Sequence, residues 1–118
     1  MNILGINIFH ADTSACIIKD STIVAAVEEE RFSRIKHFSG FPKNSINYCL
    51  KEANLSLDDI DYISVNFNTK YNFLQKLSFL IRNLFSINFI PRITLISKRQ
   101  NIKKLFNENF NTNIKSKI

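Results

Sequence analysis

The segment His10 to Ser14 (HADTS) brings together side chains that could carry out a proton transfer beside a bound anion. His10 and Asp12 lie two residues apart, so the carboxylate could orient the imidazole or raise its basicity toward that of a general base. Thr13 and Ser14 follow with small hydroxyl side chains, which can receive a phosphate together with free backbone N–H groups. The alternative is that Asp12, Thr13 and Ser14 only cap a turn, because such residues are common in turns.

Three successive glutamates, Glu28, Glu29 and Glu30, end an apolar stretch that predicts a strand. Successive side chains of a strand point to opposite faces, so Glu28 and Glu30 are predicted to share one face and Glu29 the other. All three therefore cannot serve one site, and Glu28 and Glu30 are the candidates for inward carboxylates. The alternative is a solvated run of charges, or ion pairs with Arg31 and Arg34.

Residues 31–42 (RFSRIKHFSGFP) combine cations with aromatic side chains and are expected to form an ordered loop. Arg34, Lys36 and His37 are candidates for binding the oxygens of an anion, since Arg offers a planar fork and Lys a point charge. The alternative is a cationic surface rim without a ligand.

The hydrophobic pattern predicts an α/β fold whose first strands carry the HADTS segment. Residues 2–9 are largely apolar and predict a central strand, in which Gly5 marks a close backbone approach. Residues 15–19 and 23–30 predict the second and third strands of an antiparallel meander. The HADTS segment therefore lies at the tip of a hairpin, where its side chains are accessible.

A helix and a fourth strand are predicted to follow. From Pro42 onward apolar residues recur at helical spacing, and Asn54 can close the helix. The apolar positions are Ile46, Cys49, Leu50 and Ala53. Ser56 and Asp59 have the spacing of a capping box, and residues 63–67 alternate as a strand. The predicted order is βββαβ.

Residues 70–118 differ in character from residues 1–69. The first part carries a net charge of −3 and the second part +9. Residues 71–90 predict a long amphipathic helix, and residues 102–106 predict a further helical turn. The last ten residues show no convincing period and are expected to be loose. We divide the chain into residues 1–69 and a basic, mainly helical segment, residues 70–118.

Three stretches are distinctive when they are taken together: ILGIN followed by HADTSA, IVAAVEEERFSRIKH, and GFPKNSINYCLKEANLSLDDID. They resemble the N-terminal domain of the NodU/CmcH carbamoyltransferases, which belong to the actin-like ATPase (ASKHA) superfamily. The resemblance covers residues 2–65. It implies a partial ribonuclease-H-like domain, in which residues 1–69 are the N-terminal part of the catalytic domain and residues 70–118 belong to the same incomplete domain.

The resemblance implies an O-carbamoyltransferase that makes carbamoyl-adenylate from ATP and carbamoyl phosphate. The carbamoyl group would then pass to a hydroxyl of a sugar or natural-product acceptor. His10 matches the active-site histidine of the family, a candidate base for the acceptor hydroxyl, and Asp12 accompanies it. Binding of phosphate and carbamoyl-adenylate is expected at Thr13, Ser14, Arg34, Lys36 and His37. The resemblance also favours an inward role for at least one of Glu28 and Glu30.

The family also carries a divalent metal, expected to be iron, held partly by an HHxxHA segment, and a second, YrdC-like domain further along. His10 and His37 are the only histidines of this sequence, so most of the metal ligands are absent from it. We therefore expect an N-terminal fragment that is inactive alone and whose missing C-terminal part can be supplied as a separate chain.

Two other functions are compatible with the composition. Phenylalanines are interspersed in the basic segment, which could attract nucleic acid or an anionic membrane surface. They are Phe73, Phe79, Phe85 and Phe89. We favour packing of this helix against the missing domain, which makes nucleic-acid binding the weaker hypothesis. The chain could also be a non-catalytic remnant with an exposed apolar stripe.

The composition indicates a globular protein, and we expect it in the cytoplasm. Hydrophobic residues make up 45% and charged residues 22% of the chain. No basic region precedes the first apolar run, and no window is apolar enough to cross a bilayer. Cys16 and Cys49 have neither CxxC spacing nor a nearby pair of histidines, which predicts reduced, buried thiols.

Overall fold

The computed structural model describes residues 1–66, 78, 82, 102–112 and 114–118, and it has a mixed α/β fold. The strands are β1 (Asn2–Asn7), β2 (Ser14–Lys19), β3 (Thr22–Glu28) and β4 (Tyr62–Val65). The helices are α1 (Glu30–Ser33), α2 (Lys43–Ala53) and α3 (Ile102–Phe110), with a short 3₁₀ helix at Leu57–Asp59. The predicted βββαβ start is confirmed, and the short helix α1 is added to it between β3 and α2.

The four strands form one sheet in the order β3-β2-β1-β4. β1 is a central strand: it pairs antiparallel with β2, which places Gly5 opposite Cys16, and parallel with β4, which places Gly5 opposite Ser64. β2 and β3 pair antiparallel, so the predicted meander is confirmed. A parallel pair requires a crossover connection, and the segment that contains α2 supplies it between β3 and β4.

One face of the sheet packs against α2 and forms the hydrophobic core. Leu4 of β1 and Ile17 of β2 are fully buried there. The stripe predicted for α2 is confirmed, since the buried residues of this helix are Ser45, Ile46, Cys49, Leu50 and Ala53. The Cys49 thiol donates to the carbonyl oxygen of Ala15 at 3.5 Å, and burial raises the pKa of that thiol to about 11. Cys49 is therefore a core residue with an inert thiol.

Two local signals mark the end of α2 and the turn beyond it, as predicted. Asn54 closes the helix in the left-handed conformation with φ 52°. The Asp59 carboxylate accepts hydrogen bonds from the amide and the hydroxyl of Ser56, at 2.8 and 2.6 Å. These two hydrogen bonds lower the pKa of Asp59, and the bond from the hydroxyl has the larger effect. The capping box is therefore formed.

Helix α3 is longer than the single turn predicted at residues 102–106, because it continues to Phe110. Phe106 is fully buried. Its ring meets Phe41 edge-to-face at 5.2 Å and lies stacked with Phe110 at 5.8 Å. These contacts attach α3 to the segment that precedes α2.

The prediction of a loose C-terminal tail was wrong. Ile114 and Ser116 are buried, and the Ser116 hydroxyl donates to the carbonyl oxygen of Ile60 at 2.7 Å. Lys117 forms a parallel bridge with Tyr62 of β4. The tail is held by backbone pairing to the edge of the sheet, which needs no hydrophobic period in the tail itself.

Residues 1–66 and 103–118 form one compact unit, and residues 67–102 form a second. The long helix predicted over residues 71–90 lies outside the described residues except for Ser78 and Arg82, which are helical. The four interspersed phenylalanines of the basic segment also lie outside them, so its binding to nucleic acid or an anionic surface stays a prediction. No described helix is long and apolar enough to span a membrane.

Gly5 lies so close to Cys16 that a side chain at residue 5 would collide with the thiol. A Cβ atom added to Gly5 would lie 2.7 Å from Cys16 Sγ. We therefore expect Gly5→Ala to displace the thiol and to lower the free energy of unfolding by about 1–3 kcal/mol. Urea unfolding of Gly5→Ala, Cys16→Ala and the double variant measures this cost. The loss of stability caused by Gly5→Ala should be smaller when Cys16 is already alanine. An equal loss with cysteine and with alanine at residue 16 would contradict the proposed collision.

Candidate functional site

Three backbone segments meet at the end of the sheet where the β1–β2 hairpin turns. The Thr13 amide donates to the carbonyl oxygen of Phe38 at 3.1 Å, and the Glu29 amide donates to the carbonyl oxygen of Thr13 at 2.8 Å. Thr13 thereby connects the HADTS loop with the end of β3 and with the loop that precedes α2. The residues adjacent to these hydrogen bonds are the candidates of the predicted site.

Asp12 and His37 form a hydrogen-bonded pair at this junction. His37 Nδ1 lies 2.9 Å from Asp12 Oδ1. A carboxylate only accepts hydrogen bonds, so Nδ1 carries a proton, and Nε2 is the ring nitrogen that can accept one when the imidazole is neutral. The side chain of His37 is 75% exposed and that of Asp12 is 47% exposed, so a ligand can reach the pair.

The carboxylate expected to orient His10 is bonded to His37 instead. His10 is exposed, and its Nδ1 lies 3.3 Å from the carbonyl oxygen of Ala11. Phe9 and Asp12 both adopt the left-handed backbone conformation, with φ 57° and 63°. These left-handed residues change the directions in which the side chains of the loop point. The spacing of two residues between His10 and Asp12 therefore did not predict which histidine bonds to Asp12. A role for His10 itself stays a prediction.

Glu29 is the buried carboxylate of the glutamate run, although the strand pattern had pointed to Glu28 and Glu30 instead; of those two, Glu28 lines a groove on the sheet. Strand β3 ends at Glu28 and helix α1 begins at Glu30, so the alternation does not continue through the run. Glu29 is 3% exposed, whereas Glu28 is exposed and Glu30 half-buried. Glu29 Oε1 accepts from the amide and the side-chain Nδ2 of Asn44, and Oε2 accepts from the amide and the hydroxyl of Ser45.

A sequence signal for Glu29 existed at the start of α2. Pro42 occupies the N-cap position without a side-chain hydrogen bond, and the first turn contains no acidic residue. The first amides of a helix have no partner within the helix, so a helix without a local cap needs an acceptor from elsewhere. Sequence alone did not show which of the upstream carboxylates supplies it.

Thr13 and Ser14 differ in their access to a ligand. Thr13 is 1% exposed, and its hydroxyl has no hydrogen-bond partner among the described residues. Its contribution to the junction comes from its backbone groups. Ser14 begins β2 and lines a neighbouring groove. Of the two hydroxyls predicted to contact phosphate, that of Ser14 is therefore the accessible one.

Arg34 and Lys36 are exposed on the segment that leads to His37. Arg34 ends helix α1 in the left-handed conformation with φ 57°, and its amide donates to the carbonyl oxygen of Glu30. Neither cation forms an ion pair with a residue in the part of the chain that the structure describes. Both are thus exposed cations close to His37 in sequence.

A groove of about 970 Å³ runs along the sheet beside this junction. Asn7, Ser14 and Glu28 are register partners on β1, β2 and β3, and they form a polar row across the groove. Asn66 extends this row because its Nδ2 donates to Asn7 Oδ1. The row lies at the strand ends that adjoin the HADTS loop, so a ligand at the junction could also contact the groove.

The amino-acid sequence matches the family model of the carbamoyltransferase N-terminus over residues 2–118. The chain belongs to this family. The described fold is therefore that of a carbamoyltransferase N-terminus, and the HADTS loop with its Asp12–His37 pair lies within the matched residues.

Several curated proteins are similar to this carbamoyltransferase N-terminus over about half of its residues. An uncharacterized protein (sll1178) of Synechocystis is 55% identical over 62 residues, which are 52% of this chain and 10% of that protein. The nodulation protein NolNO of Sinorhizobium fredii is 48% identical over 58 residues, 49% of this chain and 8% of NolNO. An uncharacterized 19.2 kDa protein of Rhizobium etli is 47% identical over 58 residues, 49% of this chain and 34% of that protein. The matched parts thus span between 8% and 34% of the lengths of these relatives.

The described residues of this carbamoyltransferase N-terminus contain no group of three His, Cys, Asp or Glu side chains that could hold a metal ion. The divalent metal implied by the resemblance therefore does not fit these described residues by themselves.

Proposed function

We propose that this chain is the N-terminal part of an O-carbamoyltransferase and that its HADTS loop forms part of the carbamoyl-transfer site. Membership of the carbamoyltransferase family supports the reaction class. In the proposed reaction, ATP, carbamoyl phosphate and water yield carbamoyl-adenylate, pyrophosphate and phosphate, and the carbamoyl group then passes to a hydroxyl of a sugar or natural-product acceptor. The strand order β3-β2-β1-β4, with β1 and β4 parallel, is consistent with a partial ribonuclease-H-like domain of the ASKHA type.

The Asp12–His37 pair is the observation that carries the proposal. Asp12 orients the ring through Nδ1, so Nε2 of His37 can take the proton of the acceptor hydroxyl. The hydroxyl oxygen attacks the carbamoyl carbon, and a new C–O bond forms. The bond between that carbon and the adenylate phosphate oxygen then breaks, and AMP leaves. Asp12 also stabilises the imidazolium that forms.

Two further groups support this assignment. His10, which the resemblance assigns to catalysis, is exposed on the same loop and supplies a second imidazole. Arg34 and Lys36 lie on the segment of His37 without a protein ion-pair partner in the described structure. Guanidinium and ammonium groups bind phosphate oxygens through charge-assisted hydrogen bonds, so these cations are suited to the phosphate of carbamoyl-adenylate.

We further propose that the chain has no carbamoyltransferase activity by itself. The described residues do not form a metal-binding group, and the curated relatives are much longer than the segment they share with this chain. In this proposal, the remaining part of the enzyme supplies the metal ligands and the domain that forms carbamoyl-adenylate. Release of pyrophosphate from ATP by the pure chain in the presence of carbamoyl phosphate would contradict it.

A chimera tests the transfer role directly. Residues 1–66 of this chain would replace the corresponding segment of an active carbamoyltransferase of the same family. We expect the chimera to retain transfer to its acceptor, and His37→Ala to lower the kcat of transfer about 10²–10⁴-fold, since a general base contributes that much. Pyrophosphate release should change little, because that step forms carbamoyl-adenylate and precedes the proton transfer.

Two comparisons make the chimera decisive. Lys51→Ala removes an exposed charge on the far end of α2 and should leave transfer unchanged. His10→Ala shows whether the second imidazole contributes to the same step. Normal transfer by both the His37→Ala and the His10→Ala chimera would contradict the assignment of either imidazole as the general base.

A further inference from the structure

Glu29 joins the start of α2 to the end of β3 through its side chain. The α2 amides of Asn44 and Ser45 donate to the Glu29 carboxylate at 3.2 and 2.8 Å. The side chains of the same two residues donate to it at 2.7 and 2.8 Å. A negative charge at this position is also stabilised by the helix dipole. The carboxylate thus acts as the N-terminal cap that α2 lacks in its own sequence.

The capped helix in turn fixes the loop that contains His37. This loop enters α2 directly: the Lys43 amide donates to the carbonyl oxygen of Phe41 at 2.9 Å, and the Ile46 amide donates to that of Pro42 at 3.0 Å. The position of the helix start therefore determines where the end of the loop lies. Glu29 holds that start through all four of its side-chain hydrogen bonds.

The backbone of Glu29 fixes the other partner of the pair. Its amide donates to the carbonyl oxygen of Thr13, which follows Asp12 in sequence, and the amide of Thr13 donates to the carbonyl oxygen of Phe38, which follows His37. One buried residue is therefore connected to Asp12 through the HADTS loop and to His37 through both the Phe38 carbonyl and the start of α2.

We infer that Glu29 is a positioning residue whose carboxylate sets the geometry of the Asp12–His37 pair. The role of this pair in catalysis rests on the proposed function, but its geometry does not. Glu29→Gln places an amide NH₂ group against the Asn44 or Ser45 donors, so part of the hydrogen bonding is lost while the size of the side chain is kept. Ser45→Ala removes one of the four hydrogen bonds and leaves the carboxylate in place.

The test is an NMR measurement of the imidazole ¹⁵N signals of His37 in the full 118-residue chain at one fixed pH. Asp12→Ala gives the reference signals of an unpaired His37. We expect the signals of Glu29→Gln to move toward that reference, and those of Ser45→Ala to move in the same direction by less. Glu52→Gln changes an exposed glutamate of α2 and should leave them unmoved.

The comparison includes only variants whose amide spectra are those of a folded protein. A shift of the His37 signals then cannot be the result of unfolding alone. Unmoved His37 signals in Glu29→Gln and Ser45→Ala would overturn the inference and leave Glu29 as a stabilising cap. If Glu29→Gln does not fold, Ser45→Ala decides by the same criterion. Because no activity is measured, the result is independent of whether the carbamoyl-transfer proposal holds.

Discussion

Replacement of Glu29 by alanine should lower the free energy of unfolding by about 2–4 kcal/mol, because a buried donor without an acceptor costs about 1–3 kcal/mol. The amide and hydroxyl of Ser45 are buried and both lose their acceptor. Asn44 is less buried, so water can replace part of what it loses. Urea denaturation followed by far-UV circular dichroism measures the change as a lower midpoint at constant slope.

The neighbouring glutamates supply the matched controls for this prediction. Glu28 is exposed at the end of β3, and Glu52 is exposed on α2. Substitution of either by alanine should change stability by no more than about 0.5 kcal/mol, as is usual for surface positions. A Glu29→Ala midpoint equal to that of Glu28→Ala would show that the four hydrogen bonds contribute nothing net to stability.

Phe106→Ala is expected to have the largest effect, a loss of about 3–5 kcal/mol, because it removes a fully buried aromatic side chain and leaves a cavity. Phe106 contacts the rings of Phe41 and Phe110, so its loss should also detach α3 from the segment before α2. Hydrogen exchange measures this second effect, since the amides of α3 and of the tail around Ser116 should lose protection.

Two comparisons distinguish the contribution of the contacts among Phe41, Phe106 and Phe110 from the cost of removing any hydrophobic side chain. Phe32 is 41% exposed, and Phe32→Ala should cost well under half as much as Phe106→Ala. A double-mutant cycle between Phe41 and Phe106 should give a coupling of about 0.5–1.5 kcal/mol, the usual value for an aromatic pair. A small cost for Phe106→Ala with unchanged protection of the tail would mean that α3 is not anchored by this residue.

Local rules predicted much of the fold because each of them depends on residues close in sequence. The apolar stripe of α2, the left-handed cap at Asn54 and the capping box of Ser56 with Asp59 are interactions within a turn or two of a helix. The three-strand meander needs only alternating apolar runs and short turns. The family resemblance was confirmed for a similar reason, since its motifs are contiguous in the sequence.

The candidate site was predicted only in part. The HADTS loop and His37 were named as candidates from residue type and the family resemblance, but the carboxylate of Asp12 was assigned to His10, and Glu29 was not recognised as the buried glutamate. The left-handed conformation of Asp12 interrupts the alternation in the HADTS loop, and the change from strand to helix at Glu29 ends it in the glutamate run. Hydrogen bonds between residues 16 or 25 positions apart then decide which side chains meet.

By itself, the sequence determined the family, the order of the first strands and helix, and the residues available for chemistry, because these depend on contiguous motifs and short-range periodicity. Only the tertiary structure decided that His37 receives the Asp12 carboxylate, that Glu29 caps α2, and that the C-terminal tail pairs with the edge of β4. These contacts join segments distant in sequence, and their formation depends on how the sheet and α2 bring the segments together.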